Sequence, residues 1–372
     1  MIARRTTTTT SLVLLFIGVA SCMAAQEVPA LKDVFKDHFL IGGALNRWVA
    51  MGRNAGATAI AERHFNTATA ENAMKWQSLN PSPGRYNWQP ADDFVALCEK
   101  NKMVPIGHCL VWHSQVPRWL FRDEAENSLT RDALLARMKD HITTVVGRYK
   151  GRVKGWDVVN EALNGDGTLR KSQWLQIIGE GSQDKQYDFI ENAFRWAHEA
   201  DPNAELYYND YGLETSKAKT DGAVAIVKHL KSKGIRIDAV GIQLHASLTH
   251  PDPEGLEYAI KSLAATGVKV MVTELDLRTR TRGYRGADIS RVNRRSTSDS
   301  NAETAETQKK VADKYAEIFS VLVKHKKDIT RVTFWGVYDG ASWIGGSPLL
   351  FDRSYQPKEA FFAVVKTAQQ SQ

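Results

Sequence analysis

Two stretches of the sequence end an apolar run with a carboxylate. Residues 156–162 read WDVVNEA, so Asn160 and Glu161 directly follow a pair of β-branched residues. Residues 270–276 read VMVTELD and place Glu274 in a comparable position. Such runs are typical of buried parallel strands whose ends carry functional groups. Two carboxylates delivered in this way can perform acid/base or nucleophilic chemistry on a neutral substrate.

Runs with strand character alternate with runs of helix character along the whole chain. The predicted strands are residues 39–46, 67–72, 104–113, 153–161, 204–211, 239–245, 268–276 and 332–338. The predicted helices are residues 48–62, 90–101, 131–149, 185–200, 216–233, 253–266, 303–325 and 357–367. Strands that alternate with helices imply a parallel sheet. The eight strand–helix units predict a fold of the α/β class, a single (β/α)8 TIM barrel.

The carboxyl ends of the predicted strands carry the candidate site residues, because barrel enzymes build their sites there. These ends supply amides, carboxylates, imidazoles and aromatic rings, together with one lysine: Glu71, Asn72, Lys75, His108, Trp112, Asn160, Glu161, Tyr208, Gln243, His245, Glu274, Trp335 and Trp343. The sequence contains no glycine-rich phosphate loop. Flat aromatic rings beside polar groups suit a sugar, which has apolar ring faces and a fringe of hydroxyl groups.

Six motifs in the sequence resemble those of glycoside hydrolase family 10, whose usual members are endo-β-1,4-xylanases. They are residues 71–76, 107–113, 157–162, 208–211, 241–245 and 272–276, and the likeness runs from about residue 31 to residue 365. The resemblance implies a retaining mechanism with Glu161 as the general acid/base and Glu274 as the nucleophile. It also implies that His245 holds Glu274, and that Asn160 hydrogen-bonds the 2-hydroxyl of the sugar being cleaved.

The same resemblance assigns the substrate-binding residues. Those expected to bind the two sugars on the non-reducing side of the cut are Glu71, Asn72, Lys75, His108, Trp112, Gln243, Trp335 and Trp343. Tyr208 is expected to form an aromatic platform on the leaving-group side. Trp335 and Trp343 would also limit the room around C5, which favours xylose over glucose. The implied substrates are xylan and xylo-oligosaccharides. Neither a cofactor nor a metal is implied, and we expect a monomer.

Other interpretations compete with this one. A non-catalytic glycan-binding protein would keep the cleft, but it would need neither Glu161 nor Glu274. A metal-dependent barrel hydrolase could use His108 and His113 as ligands, although no His-x-His pair follows the first strand. Within the same family, the alternative is an exo-acting or mixed xylan/cellulose enzyme. Trp76, Trp156 and Trp174 are expected in the core.

The positive charge of the chain is concentrated in one segment. The formal net charge of the 372 residues is +7. Much of the excess belongs to arginines in a basic loop insertion at 278–301: Arg278, Arg280, Arg282, Arg285, Arg291, Arg294 and Arg295. Because no nucleic-acid motif accompanies this run, we predict no nucleic-acid binding. In a barrel the insertion would follow the seventh strand and lie on the face that carries the site.

Residues 1–25 are expected to be an export signal rather than part of the fold. Arg4 and Arg5 precede a short apolar run at residues 11–20. Residues 19–22 resemble a bacterial lipobox, which would make Cys22 a lipidated first residue, and the alternative is cleavage after Ala24 or Ala25. We therefore expect a secreted, periplasmic or cell-surface bacterial protein that contacts the membrane only through Cys22.

The catalytic barrel is expected at residues 27–370 and contains two further cysteines. Cys98 and Cys109 could form one disulfide in an exported protein. Their positions on a predicted helix and inside the next predicted strand favour buried, free thiols instead.

Overall fold

The computed structural model describes residues 28–179, 181–279 and 304–370. The strands in these ranges are β1 (Leu40–Leu45), β2 (Thr67–Ala70), β3 (Val104–Trp112), β4 (Gly155–Asn160), β5 (Glu205–Asp210), β6 (Ala239–Ile242), β7 (His245–Ser247), β8 (Lys269–Arg278) and β9 (Ile329–Phe334). The α-helices are α1 (Leu31–Val34), α2 (Arg47–Ala50), α3 (Ala55–His64), α4 (Trp76–Leu79), α5 (Gln89–Lys100), α6 (Arg131–Arg148), α7 (Gln173–Ile178), α8 (Asp188–Ala200), α9 (Lys217–Ser232), α10 (Pro253–Ala264), α11 (Ala305–Lys324) and α12 (Glu359–Gln369). The predicted export signal, Cys22 and most of the basic insertion lie outside the described residues and stay predictions.

The strands pair in parallel and close into a barrel. Strands β1 to β6 are neighbours in chain order, β6 pairs with β8, β8 with β9, and β9 with β1. The short β7 extends the wall at the rim, where His245 lies opposite Asp276 of β8. The predicted (β/α)8 barrel is confirmed, and it brings the carboxyl ends of all its strands to one rim.

Side chains alternate along each strand between the barrel interior and the layer beneath the helices. On β5, Tyr207 belongs to a small cluster with Ile106 and Met271 inside the barrel. Its neighbour Tyr208 belongs to the main core. Every residue of β4 is buried, which explains why this strand reads as an almost continuous apolar run.

Two predicted strands are interrupted where the backbone becomes left-handed. The predicted strand 239–245 divides into β6 and β7 because Leu244 has a φ of 58°. The predicted strand 332–338 lies instead at β9 and ends before Gly336, which has a φ of 140°. Extended structure cannot continue through such residues. As a result, Trp335 belongs to a loop at the rim.

One predicted helix also divides, and three short helices were not predicted. Residues 48–62 form α2 and α3, separated by Gly52 with a φ of 68°. The Asn54 side chain then caps α3 by accepting a hydrogen bond from the Ala57 backbone N–H at 3.1 Å. Helices α1, α4 and α7 are too short to show a periodic apolar pattern in the sequence.

The predicted core residues are confirmed. Trp76, Trp156 and Trp174 are at most 2% exposed. Cys98 and Cys109 are buried and free, as predicted. Within residues 28–179, 181–279 and 304–370, no helix combines the length and the apolar character needed to cross a membrane.

The surroundings of two glycines predict opposite effects when each is replaced by alanine. A Cβ at Gly107 would lie 2.1 Å from the ring of the fully buried Trp156, so Gly107→Ala is expected to lower the free energy of unfolding by about 1–3 kcal/mol. Gly147→Ala is the control: it lies on α6 with no atom near the added Cβ, and it should raise that free energy by up to about 1 kcal/mol. Urea denaturation measures both, and equal shifts would contradict the packing argument.

Candidate active site

A depression of about 300 Å³ lies at the carboxyl-terminal rim of the barrel. Its walls consist of polar and aromatic side chains: Lys75, His108, Trp112, Asn160, Glu161, His245, Glu274, Trp335 and Trp343. The sequence predicted each of these as a site residue. The fold therefore brings together residues that are far apart in the chain.

Glu161 follows the last residue of β4 and is 3% exposed. Its φ of 58° lies in the left-handed region, which is costly for a residue other than glycine. The backbone N–H of Glu161 donates to the Asn209 carbonyl at 2.8 Å. Its carboxylate accepts hydrogen bonds from Trp112 Nε1 at 2.9 Å and from Gln243 Nε2 at 3.1 Å. The side chain is thus fixed by residues at the ends of two other strands, β3 and β6.

Glu274 lies on β8 and is 5% exposed. One carboxylate oxygen accepts a hydrogen bond from Asn209 Nδ2 at 2.9 Å, and the other lies 3.3 Å from His245 Nε2. Burial alone would raise the pKa of Glu274. The hydrogen bond from His245 and the charges of His108, His245 and Lys75 outweigh burial and hold this pKa below its usual range. Glu274 is therefore ionised at neutral pH.

His245 lies between two carboxylates. Its Nε2 faces Glu274, while its Nδ1 lies 2.9 Å from Asp276 Oδ1. Burial would lower the pKa of His245, but Asp276 and Glu274 raise it to about 10. Trp343 completes this chain, because its Nε1 donates to the second oxygen of Asp276 at 2.7 Å. The predicted contact between His245 and Glu274 is present.

Asn209 is a site residue to which the sequence analysis assigned no role, although it lies within the motif at residues 208–211. It is fully buried, it donates to Glu274, and its amide lies 2.9 Å from the amide of Asn160. Its own oxygen accepts a hydrogen bond from Thr273 Oγ1 at 2.7 Å. The period-2 alternation along β5 could have identified it, because Asn209 shares an inward face with Tyr207.

The prediction that Tyr208 forms a platform for the leaving group is wrong. Tyr208 is fully buried, and its hydroxyl donates to Asp210. Since it points toward the helices, a sugar in the depression cannot reach its ring. Tyr211, just after β5, is partly exposed, and its hydroxyl accepts a hydrogen bond from Arg170 at 2.9 Å. Tyr211 is the better candidate for an aromatic residue on that side.

Glu71 and Asn72 do not line the depression but connect to it through Lys75. Asn72 donates to Glu71 at 3.0 Å and accepts a hydrogen bond from Lys75 Nζ at 2.9 Å. Burial raises the pKa of Glu71 and lowers that of Lys75. The Lys75 ammonium lies 5.1 Å from the ring centroid of Trp112 and 5.9 Å from that of Trp335, which fixes the amine between two walls.

His108 is held by a carboxylate deeper in the barrel. Its Nδ1 lies 2.9 Å from Asp157 Oδ2, and its ring meets that of Trp335 edge-on at 5.3 Å. The ring is therefore oriented toward the depression rather than free to turn. Among the residues that the structure describes, no group of histidine, cysteine or acidic side chains is arranged to hold a metal ion.

Known proteins are similar to this chain in sequence and fold. A family model described as Glycosyl hydrolase family 10 matches residues 30–367. The chain is 42% identical over 355 residues to "Endo-1,4-beta-xylanase A" of Xylanibacter ruminicola. This match covers 92% of the present chain and 94% of the relative.

Solved structures of xylanases are also similar to this chain. An endoxylanase retrieved from a sugarcane soil metagenome is 39% identical, with a TM-score of 0.81, and the match covers 91% of this chain and 99% of the other. An intracellular xylanase from Thermoanaerobacterium saccharolyticum, solved as a mutant in complex with xylotriose, is 37% identical with a TM-score of 0.80. That match also covers 91% of this chain and 99% of the other.

The charge on His245 makes stability depend on pH. The pKa of His245 is about 10 in the folded protein, against an ordinary value of 6.5. The contribution of the charged imidazole to the free energy of unfolding is therefore complete below about pH 6.5 and is lost as the pH rises toward 10. Across this window the free energy of unfolding of the wild-type protein should fall more steeply than that of His245→Gln. Urea denaturation at a series of pH values measures both, and parallel curves would contradict the assignment.

Proposed function

Because the chain belongs to glycosyl hydrolase family 10, we propose that the depression at the rim is the active site of a retaining endo-β-1,4-xylanase. The chain is a glycoside hydrolase of the endo-1,4-β-xylanase type. Its substrates in this proposal are the internal β-1,4-xylosidic bonds of xylan. The exo-acting or mixed xylan/cellulose alternative is not favoured, because three relatives matched over more than nine-tenths of both chains are named xylanases.

The observation that carries the mechanism is that two buried glutamates line one depression with different partners. Glu274 is ionised and is held by His245 and Asn209, as a nucleophile requires. In the first step Glu274 forms a bond to the anomeric carbon while Glu161 gives its proton to the departing glycosidic oxygen. In the second step Glu161 takes a proton from water, whose oxygen replaces Glu274 at that carbon with overall retention.

The aromatic walls support the preference for xylan. The Trp343 ring is fixed by its hydrogen bond to Asp276 and by an edge-on contact with His245 at 5.3 Å. The Trp335 ring is fixed against His108. Because neither ring is free to swing outward, both limit the space beside a bound sugar. Xylose lacks the hydroxymethyl group that glucose carries at C5, so it fits where glucose meets a wall.

Azide rescue tests the two catalytic roles. Glu161→Ala and Glu274→Ala are each expected to lower kcat on xylan by a factor of at least about 100. With an activated aryl xylobioside, azide should rescue Glu161→Ala to give a β-azide and Glu274→Ala to give an α-azide, because a small anion fills the space of each lost carboxylate on opposite faces of the sugar. Product anomers are read by NMR.

Glu124→Ala is the matched control for this experiment, since Glu124 lies on an exposed loop. It should retain the wild-type rate with and without azide. Unchanged activity in both glutamate variants would refute the catalytic assignment, and a rescued product of the opposite anomeric form would refute the division of roles.

Arg170 is proposed as a positioning residue for Glu161. Its Nε donates to the backbone carbonyl of Glu161 at 3.0 Å, and its Nη2 donates to the carbonyl of Leu163 at 3.1 Å and to the Tyr211 hydroxyl at 2.9 Å. Arg170 thus joins the left-handed peptide of Glu161 to the aromatic ring on the leaving-group side. Its loss should let the carboxyl of Glu161 drift from the glycosidic oxygen.

Substrates that differ in their need for proton donation test this role. Arg170→Ala should lower kcat/KM on phenyl β-xylobioside by about 100-fold, but on the 2,4-dinitrophenyl analogue by less than about threefold, because the better leaving group departs without a proton. Arg152→Ala is the control, since it removes an exposed arginine that pairs with Glu99. Equal losses on both substrates would assign Arg170 a merely structural role.

The cellular part of this proposal is export from a bacterial cell, with lipid attachment at Cys22. It rests on the basic, apolar and small-residue pattern of residues 1–25.

A further inference from the structure

Two lysine–aspartate ion pairs are buried near the carboxyl-terminal rim without lining the active-site depression. Lys219 of α9 lies 2.7 Å from Asp210, the last residue of β5. Lys358, which directly precedes α12, donates to Asp339 at 2.9 Å. Each of these four side chains is less than a tenth exposed. Because desolvation offsets much of the attraction in a buried ion pair, stability alone is a weak reason for such pairs. Their contacts with the rim indicate another role.

Asp210 joins the loop that follows Glu161 to the loop that follows β5. Its carboxylate accepts hydrogen bonds from the backbone N–H groups of Leu163 at 3.3 Å and Tyr211 at 2.9 Å, and from the Tyr208 hydroxyl. In the proposed mechanism Glu161 protonates the departing oxygen, so the chain that continues from it lies on the leaving-group side. Asp210 therefore fixes the backbone of that side of the cleft.

Lys219 fixes the aromatic ring on the same side. Its ammonium lies 3.5 Å from the ring centroid of Tyr211, so a buried cation covers one face of the phenol. Arg170 donates to the hydroxyl of this tyrosine at 2.9 Å. With one face covered and its hydroxyl bound, the partly exposed ring can offer only its other face to a sugar.

Lys358 closes the loop that carries Trp343, a wall of the depression. Its ammonium donates to the carbonyls of Ser347 at 2.8 Å and Leu349 at 2.7 Å. Asp339 accepts a hydrogen bond from the backbone N–H of Leu349 at 2.8 Å. The ion pair thus joins the two ends of this loop, and the tryptophan lies between them in the sequence.

The two pairs lie far apart on the rim. Strands β5 and β9, which lead into Asp210 and Asp339, are separated by β6 and β8 in one direction and by β4, β3, β2 and β1 in the other. The two sets of contacts share no residue. Each pair can therefore be altered while the other stays intact.

We propose that Asp210–Lys219 and Asp339–Lys358 are positioning pairs for the two halves of the substrate cleft. The first holds the ring of Tyr211 and so controls binding of the sugar that leaves or accepts. The second holds Trp343 and so controls the space beside C5 of the sugar that is retained. The inference rests on the proposed function and deepens it, because buried residues that do not touch the substrate then control acceptor binding and sugar selection separately.

Acceptor binding tests the first pair. A 2,4-dinitrophenyl 2-deoxy-2-fluoro-β-xylobioside should leave its sugar bonded to Glu274, because the fluorine slows both steps and the good leaving group speeds only the first. Added xylobiose then frees the enzyme: its hydroxyl bonds to the anomeric carbon, the bond to Glu274 breaks, and Glu161 takes the hydroxyl proton.

Xylobiose binds this trapped intermediate only on the leaving-group side. Lys219→Met should therefore raise the xylobiose concentration for half-maximal reactivation about tenfold, since the ring loses the cation that fixes it. Lys358→Met should leave this concentration unchanged.

Sugar selection tests the second pair. Lys358→Met should let the loop of Trp343 move outward, so the ratio of kcat/KM on an aryl xylobioside to kcat/KM on the matching aryl cellobioside should fall about tenfold. Lys219→Met should keep the wild-type ratio. Each lysine variant is the matched control for the other, because both remove a buried ammonium and leave a buried carboxylate.

Combined variants show whether each lysine acts through its ring. If Lys219 acts through Tyr211, Lys219→Met should change the xylobiose concentration by less than about twofold once Tyr211→Ala is present. The same holds for Lys358→Met and the sugar ratio once Trp343→Ala is present. A general loosening of the fold would add its full effect in both backgrounds.

Two milder variants make the same test without removing a lysine. Asp210→Asn and Asp339→Asn keep the volume and one acceptor oxygen but remove the charge that holds the ammonium. They should show the same two selective losses at smaller size, and they decide the question if a lysine variant does not fold. The burst of dinitrophenolate counts competent active sites, so every value refers to folded enzyme.

The outcomes separate this inference from the proposed function. If the fluorinated sugar does not trap the wild-type protein, the proposed function fails. Trapping with an unchanged xylobiose concentration in Lys219→Met refutes the role of the first pair, and an unchanged sugar ratio in Lys358→Met refutes that of the second. Loss of both properties in both variants would assign the pairs to barrel stability and overturn the inference.

Discussion

The side chain of Asn209 connects the strands that carry the two glutamates. Its amide donates to Glu274 on β8 and contacts Asn160 at the end of β4, while its backbone carbonyl accepts the N–H of Glu161. A Cβ at the neighbouring Gly241 would lie 2.3 Å from Asn209 Oδ1, so the lack of a side chain at this position of β6 makes room for the amide. One buried residue therefore holds the carboxylate of Glu274 and the backbone of Glu161.

A second line of contacts decides which glutamate is ionised. Trp343 donates to Asp276, Asp276 holds His245, and His245 faces Glu274. Because the imidazole is charged, Glu274 keeps its negative charge despite burial. The same tryptophan forms a wall of the depression. The residue that limits the space for a sugar thus also supports the charge of the nucleophile, and the two properties cannot be altered independently.

The sequence predicted the barrel and most of the site because strand ends are readable: an apolar run stops at a polar residue, and a parallel barrel gathers all such ends at one rim. It failed where the outcome depended on which face a residue occupies. Tyr208 and Asn209 are adjacent, and a one-residue difference decides whether a side chain enters the barrel or the helix layer. Leu244 and Gly336 interrupt strands through backbone conformation, which apolar patterning does not report. Arg170 was missed because it acts on a backbone carbonyl in a loop.

The left-handed backbone of Glu161 has a consequence for how this protein can change over time. Holding a residue with a Cβ at a φ of 58° costs about 1–3 kcal/mol, whereas glycine adopts that conformation freely. A descendant that no longer cut its substrate would gain stability from glycine at this position, so loss of catalysis here would be rewarded and hard to reverse. Glutamate at residue 161 makes the fold less stable than glycine would, and only its catalytic role accounts for its presence there.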